Sequence, residues 1–177
     1  MLTWFTQRAK RKANAHNLYG SIVALSREPA IYDTLNVPDT TEGRFEILVL
    51  HIFVCLERMN GKAAPLAQDI VNLFFADMDT TSRELGVGDM VVPKKMRKLA
   101  AIYEDRIMAY KSAVAHTNGN ILSNALLETV FGGEEASVSS ARALRSYVGQ
   151  LRQNLSKHPL EDLMAGRIDA PDIAGIS

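Results

Sequence analysis

Cysteine, long apolar runs and leader sequences are nearly absent from this chain. The single cysteine, Cys55, excludes a disulfide framework and fits a reducing compartment. The longest apolar run, residues 47–56, is too short for a membrane span, which needs about 20 residues. The start lacks the apolar core and cleavage site of a secretory signal, and its basic run, residues 10–12, is mostly lysine without nearby serine, unlike a mitochondrial presequence. We therefore expect no spanning helix and no leader.

An excess of charge of one sign is also lacking. The 177 residues contain 20 basic and 20 acidic side chains, which argues against nucleic acid as a direct ligand. The balance is local rather than uniform, because no acidic residue precedes Glu28. The length is that of one domain with a substantial core.

Strand-like alternation, internal repeats and low-complexity tracts are missing, whereas apolar residues recur at spacings of three and four. The sequence therefore predicts an all-α, single-domain fold with short connecting turns. The helix over 42–59 is apolar on nearly every side and should be the buried centre. We expect a basic amphipathic segment over 1–16, a helical domain over 17–166 and a flexible tail over 167–177. Helices are predicted over 1–12, 17–27, 42–59, 65–84, 93–116, 121–131, 134–157 and 160–165, with 30–36 either a short helix or irregular.

The first twelve residues place aromatic side chains beside bases. This pattern is typical of an interfacial helix on an anionic membrane. It equally fits a first helix that docks on the body of the protein through Trp4 and Phe5. The candidate membrane contacts are Trp4, Phe5, Arg8, Lys10, Arg11 and Lys12.

No motif for catalysis or cofactor binding is assembled in the sequence. The glycines at 86 and 88 lack the third glycine of a dinucleotide loop and follow a predicted helix, where that motif requires a strand. His51 and Cys55 stand four residues apart on the most apolar helix, and we interpret them as core rather than as metal or haem ligands. Asp77 and Asp79 should point to different faces of a helix, which does not support a two-carboxylate mechanism. We expect a protein that is not an enzyme and that carries no cofactor or metal.

The stretch DMDTTSRELGVGDMVVPKKMRK, residues 77–98, lies between two long helical patterns and is called the junction below. Gly86 is predicted to take the left-handed position after a helix that ends at Leu85. Gly88 should allow a second unusual turn, and the two valines before Pro93 should be extended. A turn does not need so many charges of both signs, although a solvated surface is the plainer explanation from the residues alone.

The junction and its continuation LAAIYEDRIMAY, together with LSNALLETVFGG at residues 122–133, resemble the ubiquinol–cytochrome c chaperone family. The resemblance covers about residues 17–151. It implies an all-helical, non-enzymatic assembly factor for respiratory complex III. The mitochondrial members act with a small partner protein, bind newly made cytochrome b and associate with the ribosome near its exit tunnel. Without a presequence, this chain looks like a bacterial member, placed in the cytoplasm at the inner face of the inner membrane, or on the matrix side if organellar.

The resemblance also implies that the junction is a surface for binding cytochrome b. The alternative is a general helical adaptor that docks other proteins through the same surface. The residues expected to bind the partner are Asp77, Met78, Asp79, Arg83, Glu84, Gly86, Gly88, Asp89, Pro93, Lys94 and Lys95.

Overall fold

The computed structural model describes the backbone of residues 2–176 and the side chains of residues 6–176. The predicted all-α fold is confirmed, because this part of the chain forms helices joined by short turns and no strand. No helix in it is both long and apolar enough to span a bilayer. The α-helices are α1 Leu2–Ser26, α2 Pro29–Asp33, α3 Thr41–Met59, α4 Ala64–Glu84, α5 Val92–Ala115, α6 Gly119–Val130, α7 Val138–Lys157 and α8 Leu160–Met164, with 3-10 turns at Glu135–Ser137 and Ile173–Gly175.

The predicted central helix is confirmed as α3. Its start is fixed by Thr40, whose side-chain oxygen accepts a hydrogen bond from the Gly43 backbone N–H at 3.0 Å. A side chain at position 43 would collide with the Pro38 carbonyl, so glycine is needed there. All residues from 47 to 55 are buried, and α3 contacts α1, α4, α5, α6, α7 and α8. The other helices therefore pack around α3.

Helices α1 and α4 lie side by side and run in the same direction. The Arg11 guanidinium lies 2.7 Å from the Asp69 carboxylate, and the Tyr19 hydroxyl donates to Asp77 at 2.8 Å. Both pairs are separated by the same number of residues, which is the register of two parallel neighbours. The N-terminal end of α1 thus lies at the start of α4, and the junction lies at the far end of α4.

The first helix differs from the expectation of a separate segment over 1–16. The chain continues as one helix to Ser26, and Ala15 and Leu18 are buried in the core on either side of the expected break. Residues 13–16 contain no proline or glycine, so nothing interrupts the helical backbone there. The N-terminal segment belongs to the same body as the rest of α1.

The C-terminal residues also differ from the expected flexible tail. Ile173 and Ile176 are buried, and the 3-10 turn at 173–175 contacts α2. Asp172 caps this turn by accepting a hydrogen bond from the Ala174 backbone N–H at 3.1 Å. The two isoleucines supply enough apolar burial to order a segment whose polar and glycine content indicated a loose end.

Candidate functional site

The turn between α4 and α5 begins as the sequence predicts. Helix α4 ends at Glu84, Leu85 is its C-cap, and Gly86 follows in the left-handed conformation with φ 79°. The Gly86 and Val87 backbone N–H groups donate to the carbonyls of Arg83 and Ser82 at 2.9 and 3.1 Å. These bonds occupy carbonyls that the end of the helix would otherwise leave free.

Two expectations for the rest of this turn are wrong. Gly88 does not adopt a positive φ, and Val91 is helical rather than extended, with φ −92° and ψ −30°. The Gly88 carbonyl accepts hydrogen bonds from Val91 and Val92 at 2.8 and 3.2 Å, which winds the chain directly into α5. Val92 is the first residue of α5 and is buried, and this burial offsets the usual preference against a helical residue before proline.

The charges of the junction divide into groups with different partners. Arg83 lies 2.8 Å from Asp79 on the preceding turn and also pairs with Asp89 across the loop. Hydrogen bonding to Asp79, supplemented by Asp89, raises the pKa of the Arg83 guanidinium. Asp77 instead faces α1, where it accepts the Tyr19 hydrogen bond. The first cluster therefore fixes the exposed turn, and Asp77 ties α4 to α1.

A cavity of about 650 Å³ opens beside the junction between α1, α3, α4 and α5, and is called the groove below. Its volume lies in the usual range for binding sites. Each of the four helices contributes apolar side chains to the lining. These are Val23 from α1, Phe45 and Leu48 from α3, Met78 from α4, and Leu99 and Ile102 from α5.

The rim of the groove carries an excess of unpaired positive charge. Arg27, Lys95 and Lys98 line it, and their side chains make no ion pair within residues 6–176. Glu42 and Asp77 are the acidic side chains at the groove that likewise make no ion pair within those residues, so the unpaired cations exceed the unpaired anions by one. Arg44 pairs with Asp39 and Glu46 with Arg106, whereas Asp77 accepts a hydrogen bond from the uncharged Tyr19 hydroxyl.

Glu46, which lines the groove, forms an ion pair with Arg106. The carboxylate accepts two hydrogen bonds in a bidentate arrangement, at 2.8 and 2.9 Å, and its side chain is only 9% exposed. The hydrogen bond to Glu46 raises the pKa of the Arg106 guanidinium. This pair joins α3 to α5 beside the groove.

The sequence identified only part of this site. Of the predicted partner-binding residues, Asp77, Met78 and Lys95 line the groove. The remaining ones lie on the last turns of α4, on the exposed turn or at the start of α5, namely Asp79, Arg83, Glu84, Gly86, Gly88, Asp89, Pro93 and Lys94. The contributions of α1 and α3 carried no signal in the sequence, because apolar and charged positions on those helices look like ordinary core and surface.

The predicted membrane-contact residues lie at the other end of α4. The side chains of Trp4 and Phe5 are outside the described residues, so that expectation stays a prediction. Arg11 is engaged with Asp69, whereas Lys10 and Lys12 are exposed. The bases of this segment therefore do not act as a single free cluster.

His51 and Cys55 are confirmed as core residues. His51 Nδ1 donates to the Ile47 carbonyl at 2.8 Å, which leaves Nε2 to accept from the Tyr147 hydroxyl at 2.7 Å. Burial lowers the pKa of His51 to about 4 and raises the pKa of the Cys55 thiol to about 12. Among the described residues, no group of three potential ligands could hold a metal ion.

Comparison with known proteins places this geometry in a family. Residues 33–170 match the family described as ubiquinol-cytochrome C chaperone. Ubiquinol-cytochrome c reductase complex assembly factor 1 from Mus musculus is 25% identical over 88% of this chain and 53% of its own length, and the Homo sapiens protein is 26% identical over 88% and 52%. The chain thus spans about half the length of these two relatives.

A solved structure extends the similarity to the whole fold. The crystal structure of the Cbp3 homolog from Brucella abortus is 38% identical, covers 99% of both chains and superimposes with a TM-score of 0.86. The matched family region also includes the junction, α3 and most of the groove. The chain belongs to the ubiquinol–cytochrome c chaperone family.

Proposed function

We propose that this protein binds cytochrome b as a chaperone during assembly of the ubiquinol–cytochrome c reductase. Family membership supports a role in assembly, and the mouse and human relatives are named for that role. The observation that carries the proposal is the groove, which combines an apolar lining with unpaired cations at its rim. Such binding needs burial and charge pairing alone, so the proposed role is non-enzymatic.

The occupant that fits the groove is an apolar segment of cytochrome b with an acidic residue beside it. The lining side chains from α3, α4 and α5 would shield apolar surface that water otherwise contacts. Arg27, Lys95 and Lys98 would pair with the flanking carboxylate, and this charge complementarity favours one orientation of the segment. Met78 suits a client whose shape changes during maturation, because its side chain is unbranched and adaptable.

The junction contributes to the same surface at one end of the groove. Met78 and Lys95 line the groove directly, and Leu85 lies where α4 ends at its mouth. The Arg83 cluster holds the turn in place, so its charges act on the client mainly by fixing that mouth. A small partner protein, the ribosome and a location at the inner face of the membrane rest on the family resemblance and stay predictions.

Recovery of cytochrome b with the tagged protein tests this proposal. Leu99→Glu places a carboxylate in the apolar lining, and Arg27→Glu reverses an exposed rim charge. Each change should lower recovery about tenfold or more, since burying an unpaired charge and opposing like charges both disfavour the complex. Ile121→Glu on α6 is the matched control, because Ile121 is exposed and does not line the groove.

Far-UV circular dichroism should show the same helix content for all three variants. Normal recovery of cytochrome b with Arg27→Glu and with a folded Leu99→Glu protein would show that the groove is not the binding site. A loss that is equally large with Ile121→Glu would show that the effect is not specific to the groove.

A further inference from the structure

Exposed apolar side chains are concentrated at the turn between α4 and α5. Met90 is 95% exposed, Leu85 67% and Val91 55%, and these three residues are called the tip below. Among the described residues, only Met108 and Ile121 are further large apolar side chains with comparable exposure. Three such side chains within seven positions of one loop mark an interaction surface rather than scattered exposure.

The backbone holds the tip away from the body of the protein. The left-handed Gly86 reverses the chain after α4, and Arg83 joins Asp79 to Asp89 across the loop. On the other side, the buried Val92 anchors the start of α5. The tip is thus an exposed turn between two fixed ends, and the side chains of Met90 and Val91 are not folded back onto the core.

Positive charge surrounds the tip. Residues 83–98 contain five basic and two acidic side chains, and the pairing of Arg83 with Asp89 leaves four bases against one acid, Glu84. Lys94 and Arg97 are exposed on the first two turns of α5, and neither makes an ion pair within residues 6–176. The apolar projection is therefore flanked by cations that nothing in the described structure neutralises.

We propose that the tip docks on an anionic lipid bilayer. Apolar side chains at such a surface enter the boundary between headgroups and acyl chains, while neighbouring bases pair with the anionic headgroups. A bilayer accommodates exposed apolar side chains without needing a complementary pocket, whereas a protein partner would have to supply one. The charge and the exposure of the tip both favour the lipid surface.

This docking goes beyond the proposed chaperone role and would orient it. Leu85 belongs to the tip and also lines the groove, together with Lys95 and Lys98. When the tip enters the headgroup region, the mouth of the groove therefore faces the membrane. An apolar segment in or leaving the bilayer could enter the groove without crossing open water.

The tip is also distinct from the N-terminal segment, which the sequence predicts as a membrane contact. Because α1 and α4 run parallel, Lys10 and Lys12 lie toward the start of α4, at the opposite end from the tip. A helix of this length measures about 30 Å. Variants at the two ends can therefore be compared directly.

Co-sedimentation of the full chain with vesicles of phosphatidylcholine, with or without phosphatidylglycerol, tests the proposal. We expect binding to the anionic vesicles, and Met90→Asp should weaken it about tenfold or more because an apolar anchor is lost. Met108→Asp is the matched control, since Met108 is 63% exposed on α5 away from the tip and should bind as the wild type does. The double variant Lys94→Glu with Arg97→Glu should weaken vesicle binding by roughly fivefold or more per reversed charge. The double variant Lys10→Glu with Lys12→Glu should weaken it less.

A second measurement places the tip relative to the bilayer. Cys55 is buried, so a dye attached at Met90→Cys labels the tip selectively, and its emission should shift to the blue on anionic vesicles. The same dye at Met108→Cys should not shift. Wild-type binding by Met90→Asp, or loss only with the N-terminal pair, would overturn the proposal. So would a Met90→Asp variant that binds vesicles normally but loses cytochrome b, because that outcome would make the tip a protein surface.

The two proposals fail separately. Ile102→Ala removes apolar lining from the groove without changing a charge, so it should lower the recovery of cytochrome b and leave vesicle binding unchanged. Met90→Asp should leave the recovery of detergent-solubilised cytochrome b unchanged, because Met90 does not line the groove.

Discussion

The buried His51 predicts a specific loss of stability in acid. In the folded protein its pKa is about 4, because burial disfavours the charged imidazolium. In the unfolded chain its pKa is about 6.5. Below the unfolded value the unfolded chain therefore binds a proton that the folded protein does not bind. The stability contributed by neutral His51 is present above pH of about 6.5 and is lost progressively as the pH falls toward 4.

The size of the effect follows from the separation of the two pKa values. At a pH of about 5, acidification has cost about 2 kcal/mol through this residue alone. Urea unfolding followed by circular dichroism at about pH 7.5 and pH 5 measures the free energy of unfolding at each pH. His51→Gln has no titrating ring, so its free energy of unfolding should fall by about 2 kcal/mol less than that of the wild type.

Tyr147→Phe tests whether burial or the hydrogen bond from Tyr147 causes the low pKa of His51. It removes the hydroxyl that donates to His51 Nε2 but leaves the ring buried. The variant should be less stable at both pH values, by about 1–3 kcal/mol, because a buried acceptor loses its partner. Its pH dependence should match that of the wild type. If wild type and His51→Gln lose equal stability on acidification, the reasoning about His51 is refuted.

Two further changes test the structure around the groove and the turn. Glu46→Gln should lower the free energy of unfolding by about 2 kcal/mol. This is less than the loss of a fully buried pair would cost, since Arg106 is 27% exposed and partly solvated. An unchanged urea midpoint would contradict a stabilising role of the Glu46–Arg106 pair. Gly86→Ala should cost about 1 kcal/mol because φ is 79°, whereas Gly88→Ala should be neutral or slightly stabilising since its φ is not positive and its surroundings are open. Equal effects at the two glycines would contradict the described turn.

The helices were largely predictable because their signals are local. Apolar spacing located α3 to α7, Pro65 and Pro93 marked helix starts within one residue of those observed, and Gly86 marked the end of α4 within two. The wrong predictions concern segments whose conformation depends on contacts with distant parts of the chain. Val92 is helical before a proline because its burial stabilises that conformation, and Ile176 orders a segment that looked loose. Burial against other parts of the chain has no signature within a short window of sequence.

The groove could not be predicted for the same reason. Its lining comes from five helices, because Tyr32 of α2 joins the residues of α1, α3, α4 and α5, and Val23 and Ile102 are far apart in sequence. Of the charges predicted to be exposed at the junction, Arg83, Glu84, Asp89 and Lys94 are exposed, whereas Asp77, Asp79 and Lys95 are half-buried. The contact of Asp77 with Tyr19 on another helix had no signal in the sequence, and only the Arg83–Asp79 pair follows from spacing. The tip was hidden as well, because Met90 and Val91 read as ordinary apolar residues until their exposure was known.

Site-specific photo-crosslinking in respiring cells tests directly whether the groove binds cytochrome b. A photoreactive amino acid at Leu99 lies in the groove, and the same amino acid at Ile121 lies on an exposed surface outside it. If the groove binds cytochrome b, mass spectrometry should identify cytochrome b crosslinked to position 99 and not to position 121. Crosslinks from position 99 to soluble proteins alone would contradict binding of cytochrome b in the groove. Equal capture of cytochrome b from positions 99 and 121 would contradict it as well.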